Sequence, residues 1–139
     1  MAMSWRSAAV AASLIAVASA SLEGAGQSDA DRVARGEYLV NNVAMCVQCH
    51  TPRDERGELE RSKLLQGAPV PVVSPYPNDQ WAFTAPRIAG LAPWTEEQLV
   101  TLLTTGARPT GERPKLPMLP FRMTREDAEA VVAYLRSLR

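Results

Sequence analysis

All eleven prolines of this 139-residue chain lie between Pro52 and Pro120, seven of them by Pro93. Proline removes a backbone donor and its ring blocks a helix interior, so the middle of the chain must be mostly loop, held by something other than its own hydrogen-bond ladders. No period-two pattern marks a strand, and no internal repeat is present. With 46% hydrophobic and 22% charged residues, the composition suits one small soluble domain with a modest core. A core of that size is helped by a staple. The two cysteines, Cys46 and Cys49, are too close in sequence to tie distant segments together as a disulfide. The staple is therefore expected to be a cofactor or a metal.

Three segments carry helical periodicity. In the first, Val33, Gly36, Val40 and Val43 fall on one face of a helix that is expected to run into the cysteine pair. Glycine costs about 1 kcal/mol in a helix interior, so Gly36 in the middle of that face predicts the close approach of another backbone. A tolerated surface glycine is the plainer alternative. The second helix is capped by Thr95, with Gln98 at capping-box spacing, Leu99, Leu102 and Leu103 as its apolar stripe, and Gly106 as its stop. The third is capped by Thr124, with Asp127 at the third helical position, and buries Ala128, Val131, Val132, Leu135 and Leu138.

The first twenty residues read as an export signal rather than as part of the fold. Arg6 supplies the positive charge, Ala8 to Val17 the short apolar run, and Ala18, Ser19 and Ala20 the small-residue cleavage site. The run is shorter than the roughly 20 residues that span a bilayer, which makes an uncleaved anchor the weaker reading. Residues 21–28 are expected to be a flexible lead-in and residues 29–139 the domain, outside the cytoplasm. The full chain balances 15 basic against 15 acidic residues, which gives no electrostatic footprint for nucleic acid.

Both cysteines and the only histidine fall within five positions, Cys46-Val-Gln-Cys49-His50. A thioredoxin-type dithiol would follow a strand in a βαβ unit, whereas a helical pattern precedes this one. Zinc wants four ligands, and the fourth would have to be a carboxylate. Cys-x-x-Cys-His instead signals covalent haem attachment: two thiols one turn apart add to one porphyrin edge, and the adjacent histidine binds iron. With His50 as the proximal ligand, no second histidine exists for the other axial position. Met1 and Met3 leave with the signal, and Met45 adjoins the motif on the proximal side. Met118 and Met123 remain. Met123 directly precedes the Thr124 cap, where an apolar residue packs as a hydrophobic staple onto Ala128. Met118 sits in a rigid stretch between Pro117 and Pro120, where a soft thioether has little use unless its sulfur is a ligand. Its alternative is a gap-filling loop residue.

These residues resemble a class I c-type cytochrome over nearly the whole chain after the signal. RGEYLVNNVAMCVQCH is similar to the family's amino-terminal helix and haem motif, and DAEAVVAYLRSL to its carboxy-terminal helix. The resemblance implies an all-α small cytochrome c fold, with three to four helices and long proline-rich loops around covalent haem c. It implies that the terminal helices cross at nearly right angles through Gly36 and Tyr134. The stretch from Thr84 to Gly106 is similar to bacterial dehydrogenase-linked cytochromes, although Arg87 stands where asparagine is usual. Those relatives usually carry Met-Pro at the distal ligand, where this chain has Met118-Leu119-Pro120.

The function implied is a periplasmic monohaem carrier of single electrons, with a dehydrogenase as donor, an oxidase or another cytochrome as acceptor, and a membrane-associated complex as one setting. Methionine ligation favours the ferrous state, and burial by Leu102, Tyr134 and the loops raises the potential further. A haem peroxidase or a gas-binding module, with an open or labile distal site, is the alternative. The chain has no distal histidine for acid–base work. Trp81 and Trp94 are candidate donors to a haem propionate, or else an aromatic wall under the loops. From Gly106 to Met123, Arg108, Arg113, Lys115 and Arg122 against Glu112 give a net of +3, while residues Thr51 to Glu60 carry a net of −2. That asymmetry either orients partner docking or belongs to ordinary solvated loops.

Overall fold

A computed structural model describes residues 28–77, 80–91 and 93–138. The expected signal, with Met1, Met3 and Arg6, and the lead-in up to residue 27 lie outside the described residues. Among the described residues four α-helices carry the fold: α1 (Asp29–Tyr38), α2 (Val47–His50), α3 (Glu96–Thr105) and α4 (Arg125–Ser137). The ladder among the described residues is short and antiparallel, β1 (Ala68–Pro69) on β2 (Thr84–Ala85), with Ala68 opposite Ala85. The all-helical expectation therefore holds, with loops where the prolines demand them.

Ser28 caps α1 by accepting from the Asp31 N–H at 3.1 Å, and Asp29 and Asp31 complement the positive end of the helix dipole. Val33, Gly36 and Val40 lie on the inner face as predicted, but Val43 is 55% exposed. The hydrogen bonding widens to a π-helix over Leu39–Val43, where the Ala44 N–H reaches back to the Leu39 carbonyl at 2.8 Å. One extra residue in the turn rotates the following side chains, so Leu39 joins Val40 inside and Val43 turns outward. The helix also does not run unbroken into the motif. Met45 takes a left-handed conformation (φ 53°) and redirects the chain before α2 begins.

α1 packs against α4 through Gly36. A Cβ there would overlap the Ala130 carbonyl of α4 and lie 2.8 Å from the Tyr134 Cβ. The predicted close approach of a second backbone is thus present, at the pair the family resemblance named. Arg35 of α1 pairs with Asp127 at 3.0 Å, and Asn41 in the π-turn after α1 donates to the Tyr134 hydroxyl at 3.4 Å, so α4 is tied on either side of the contact.

The other two helices begin where the sequence places them. Thr95 and Gln98 form a full capping box on α3, and Gly106 ends it in the left-handed conformation (φ 69°). Thr124 accepts from the Asp127 N–H at 3.1 Å to start α4. Leu99, Leu102, Leu103, Ala128, Val131, Val132 and Leu135 are buried in one cluster with Leu39 and Val40. Leu138 is half-buried against it. Leu65, fully buried, connects the loops to this core: its N–H donates to Thr51 Oγ1 and its carbonyl accepts from Ile88 and Ala89.

Candidate functional site

α2 and its N-cap residue Cys46 bring three of the four predicted site residues onto a single turn. The Cys46 carbonyl accepts from the His50 N–H at 2.9 Å and from the Cys49 N–H at 3.3 Å, which sets the two thiols one helical turn apart. Both cysteines are unpaired and half-buried. Burial pushes the Cys46 thiol up to about 11, so it stays protonated at neutral pH. A redox dithiol needs its reactive thiol lowered, which argues against the thioredoxin-type reading. Among the described residues, no three of the His, Cys, Asp and Glu side chains converge to hold a metal ion.

His50 is 8% exposed, and its Nδ1 lies 2.7 Å from the Pro86 carbonyl. A carbonyl only accepts, so Nδ1 must carry the proton and Nε2 keeps a lone pair. Burial lowers the imidazole pKa, the Pro86 bond opposes this in part, and the ring is neutral at pH 7. The His50 backbone is held as well, because its carbonyl accepts from Gly67 at 2.8 Å. A neutral imidazole oriented by a backbone carbonyl is the arrangement a metal-ligating histidine requires. Two free thiols one turn apart and this fixed imidazole together fit haem c.

Met118 and Met123 both sit half-buried at the margin of the core, as does Cys46. The Met123 N–H donates to the Leu103 carbonyl at 3.0 Å, which ties it to the end of α3. Met118 lies on the 114–120 loop, where its N–H closes a turn onto the Lys115 carbonyl at 3.3 Å. That loop is attached to Trp81 by a parallel bridge at Leu116. The Trp81 indole N–H donates to the Val72 carbonyl at 3.1 Å, and Trp94 packs half-buried against the core with Arg108 over its ring at 5.9 Å. Trp81 thus uses its indole donor within the chain. Arg87 donates to the Ala89 carbonyl at 2.9 Å.

The model of the family described as cytochrome c oxidase, cbb3-type, subunit III, matches residues 31–135. The chain belongs to this family of c-type cytochromes. Haem c is the cofactor that membership implies. Over 84 residues the cytochrome domain is 37% identical to the cytochrome c subunit of a quinone-dependent alcohol dehydrogenase from Gluconobacter oxydans, covering 53% of this chain and 16% of the relative. It is 33% identical over 118 residues to the fructose dehydrogenase cytochrome subunit of Gluconobacter japonicus, covering 75% and 21%. A diheme c-type cytochrome from Cereibacter sphaeroides is 29% identical over 108 residues, covering 73% and 34%. The chain thus spans between a sixth and a third of the length of these relatives. They are cytochromes and cytochrome subunits, and they give the peroxidase reading no support.

Three residues that support the site escaped sequence reasoning. Pro86 acts through its carbonyl, a group every residue has, so nothing in its identity announced the role. Thr51, 1% exposed, uses its hydroxyl to accept from Leu65, and Leu65 takes a left-handed conformation (φ 57°) that leucine does not advertise. The signal available was position alone: Thr51 directly follows His50.

Proposed function

We propose that this cytochrome domain is an exported single-haem electron carrier. It takes electrons one at a time from a dehydrogenase and delivers them to an oxidase or another cytochrome. Residues 1–20 are its export signal and residues 29–139 its folded domain. Cys46 and Cys49 are the attachment thiols, and His50 and Met118 are the axial ligands. The observation that carries this reading is the buried His50 ring, oriented by Pro86 with Nε2 left as the lone-pair donor. The similarity to cytochrome subunits of alcohol and fructose dehydrogenases supports the donor class. A single Cys-x-x-Cys-His motif and two cysteines in all support one haem.

When bound, haem supplies an iron that cycles between ferric and ferrous. The chain's part is to hold and to shield. Pro86 fixes the imidazole, and a thioether ligand favours the ferrous state. Among the described residues no helix is long and apolar enough to cross a membrane.

The deciding experiment is the ferric absorption spectrum of protein expressed with haem attachment machinery, for wild type, Met118→Ala and Met123→Ala. A far-red sulfur-to-iron band is expected in wild type and Met123→Ala and lost in Met118→Ala. Loss in Met123→Ala alone would move the ligand to that residue. A high-spin wild type that binds carbon monoxide rapidly when reduced would replace the carrier with the open-site alternative.

A further inference from the structure

The segment from Gln80 to Pro86, which bends at Phe83 before entering β2, is bonded to both halves of the proposed site. At one end the Pro86 carbonyl holds His50 Nδ1 at 2.7 Å. At the other, the Leu116 N–H donates to the Gln80 carbonyl at 3.0 Å and the Ala82 N–H donates to the Leu116 carbonyl at 2.6 Å. Leu116 is two residues from Met118, in a stretch stiffened by Pro114, Pro117 and Pro120. Between these ends the segment is anchored along its length. The Phe83 carbonyl accepts from Val70 at 2.9 Å, Ala85 pairs with Ala68 in the ladder and is 6% exposed, and the Trp81 indole donates to Val72 at 3.1 Å.

We infer that residues 80–86 are a shared brace for the two axial ligands, in which Trp81 and Ala82 are positioning residues for Met118. The inference rests on His50 and Met118 being those ligands. A seven-residue backbone pinned at both ends and in the middle has little slack, so the place of the Leu116 loop follows that of Pro86, and with it the imidazole. In a chain whose middle is proline-rich loop, this short run joins β2, beside the proximal histidine, to the bridge that holds the Met118 loop. The strength with which Met118 holds its position is then set by hydrogen bonds some 35 residues earlier in the chain, roughly the separation of Ala82 and Leu116.

The test titrates ferric holoprotein with imidazole, which competes with the methionine sulfur and bleaches the far-red band. Ala82→Pro deletes the N–H that holds Leu116, and Trp81→Phe deletes the indole donor while keeping a ring. Thr95→Ala removes the α3 cap and serves as a variant of lowered stability outside the brace. Apparent imidazole affinity is expected to rise about tenfold in Ala82→Pro and about threefold in Trp81→Phe, and to stay at the wild-type value in Thr95→Ala. Should Ala82→Pro fail to retain haem, Trp81→Phe decides. A wild type without the band overturns the Met118 assignment and the brace with it. A wild-type band combined with unchanged affinity in the brace variants, or an equal rise in Thr95→Ala, overturns the brace alone.

Discussion

Gly36 shows how much one missing side chain can determine. Its position in α1 is helical, so alanine would gain about 1 kcal/mol of helix propensity there. Against this, the added Cβ would overlap a backbone carbonyl of α4, which has no rotamer to yield, and overpacking of this kind costs about 3 kcal/mol. The second effect wins. Gly36→Ala holoprotein is expected to unfold at lower denaturant, with a net loss of about 2 kcal/mol; a midpoint equal to wild type would show that the helices part freely. The role was legible because a glycine amid an apolar stripe violates propensity and so asks for a reason. Cys46, Cys49 and His50 were legible because reactive side chains at fixed spacing are rare. Pro86 and Leu65 were not, because they act through backbone groups that every residue shares.

At the scale of elements, the starts of α3 and α4 were legible because caps are local: Thr95 with Gln98 and Thr124 with Asp127 satisfy orphan N–H groups within a few positions. The π-turn at Leu39–Val43 was not, since its cause is tertiary. Leu39 and Val40 both go inward, which a 3.6-residue period does not foresee at that place. The loop from Gly106 to Met123 keeps its basic character in the fold, with Arg108 partly offset by Glu112 at 3.6 Å. Arg113 and Lys115 line a surface cleft of about 500 Å³ with Gln80, Pro114 and Leu116, beside the stretch that carries Met118. Were this face to dock an acidic partner, its charges would steer the encounter through solvent, and salt would screen them. Replacing Arg113 and Lys115 by Gln is expected to flatten the ionic-strength dependence of electron-transfer rate with a redox partner. An unchanged dependence would make this an ordinary solvated loop.

The whole molecule divides into a helical core and a wrapping of loops that are less well supported. α3, α4 and the π-turn that follows α1 bury a continuous apolar cluster, with Val33 of α1 at its margin, whereas the loops contribute to it chiefly through Leu65, Ala89 and Leu91. The same loops expose large apolar side chains: Val73 is 84% exposed, Phe83 80%, Tyr76 73% and Leu119 63%. Ordering a residue costs on the order of 1–2 kcal/mol of backbone entropy, and an exposed apolar side chain returns nothing against it. The surface ion pairs, such as Arg125 with Glu97 and Lys63 with Glu60, add little. A covalently held cofactor that joins α2 to the loops would supply the missing constraint, as structural cofactors do in other small domains. The chain lacking it should therefore lose more than the loops, because His50, Thr51 and Leu65 link them directly to the core. A Cys46→Ala, Cys49→Ala double variant is expected to show much less helix by circular dichroism than wild type and no cooperative melt. Full native helix in that variant would mean that the three-helix core stands alone and that the prosthetic group is held by a fold already made.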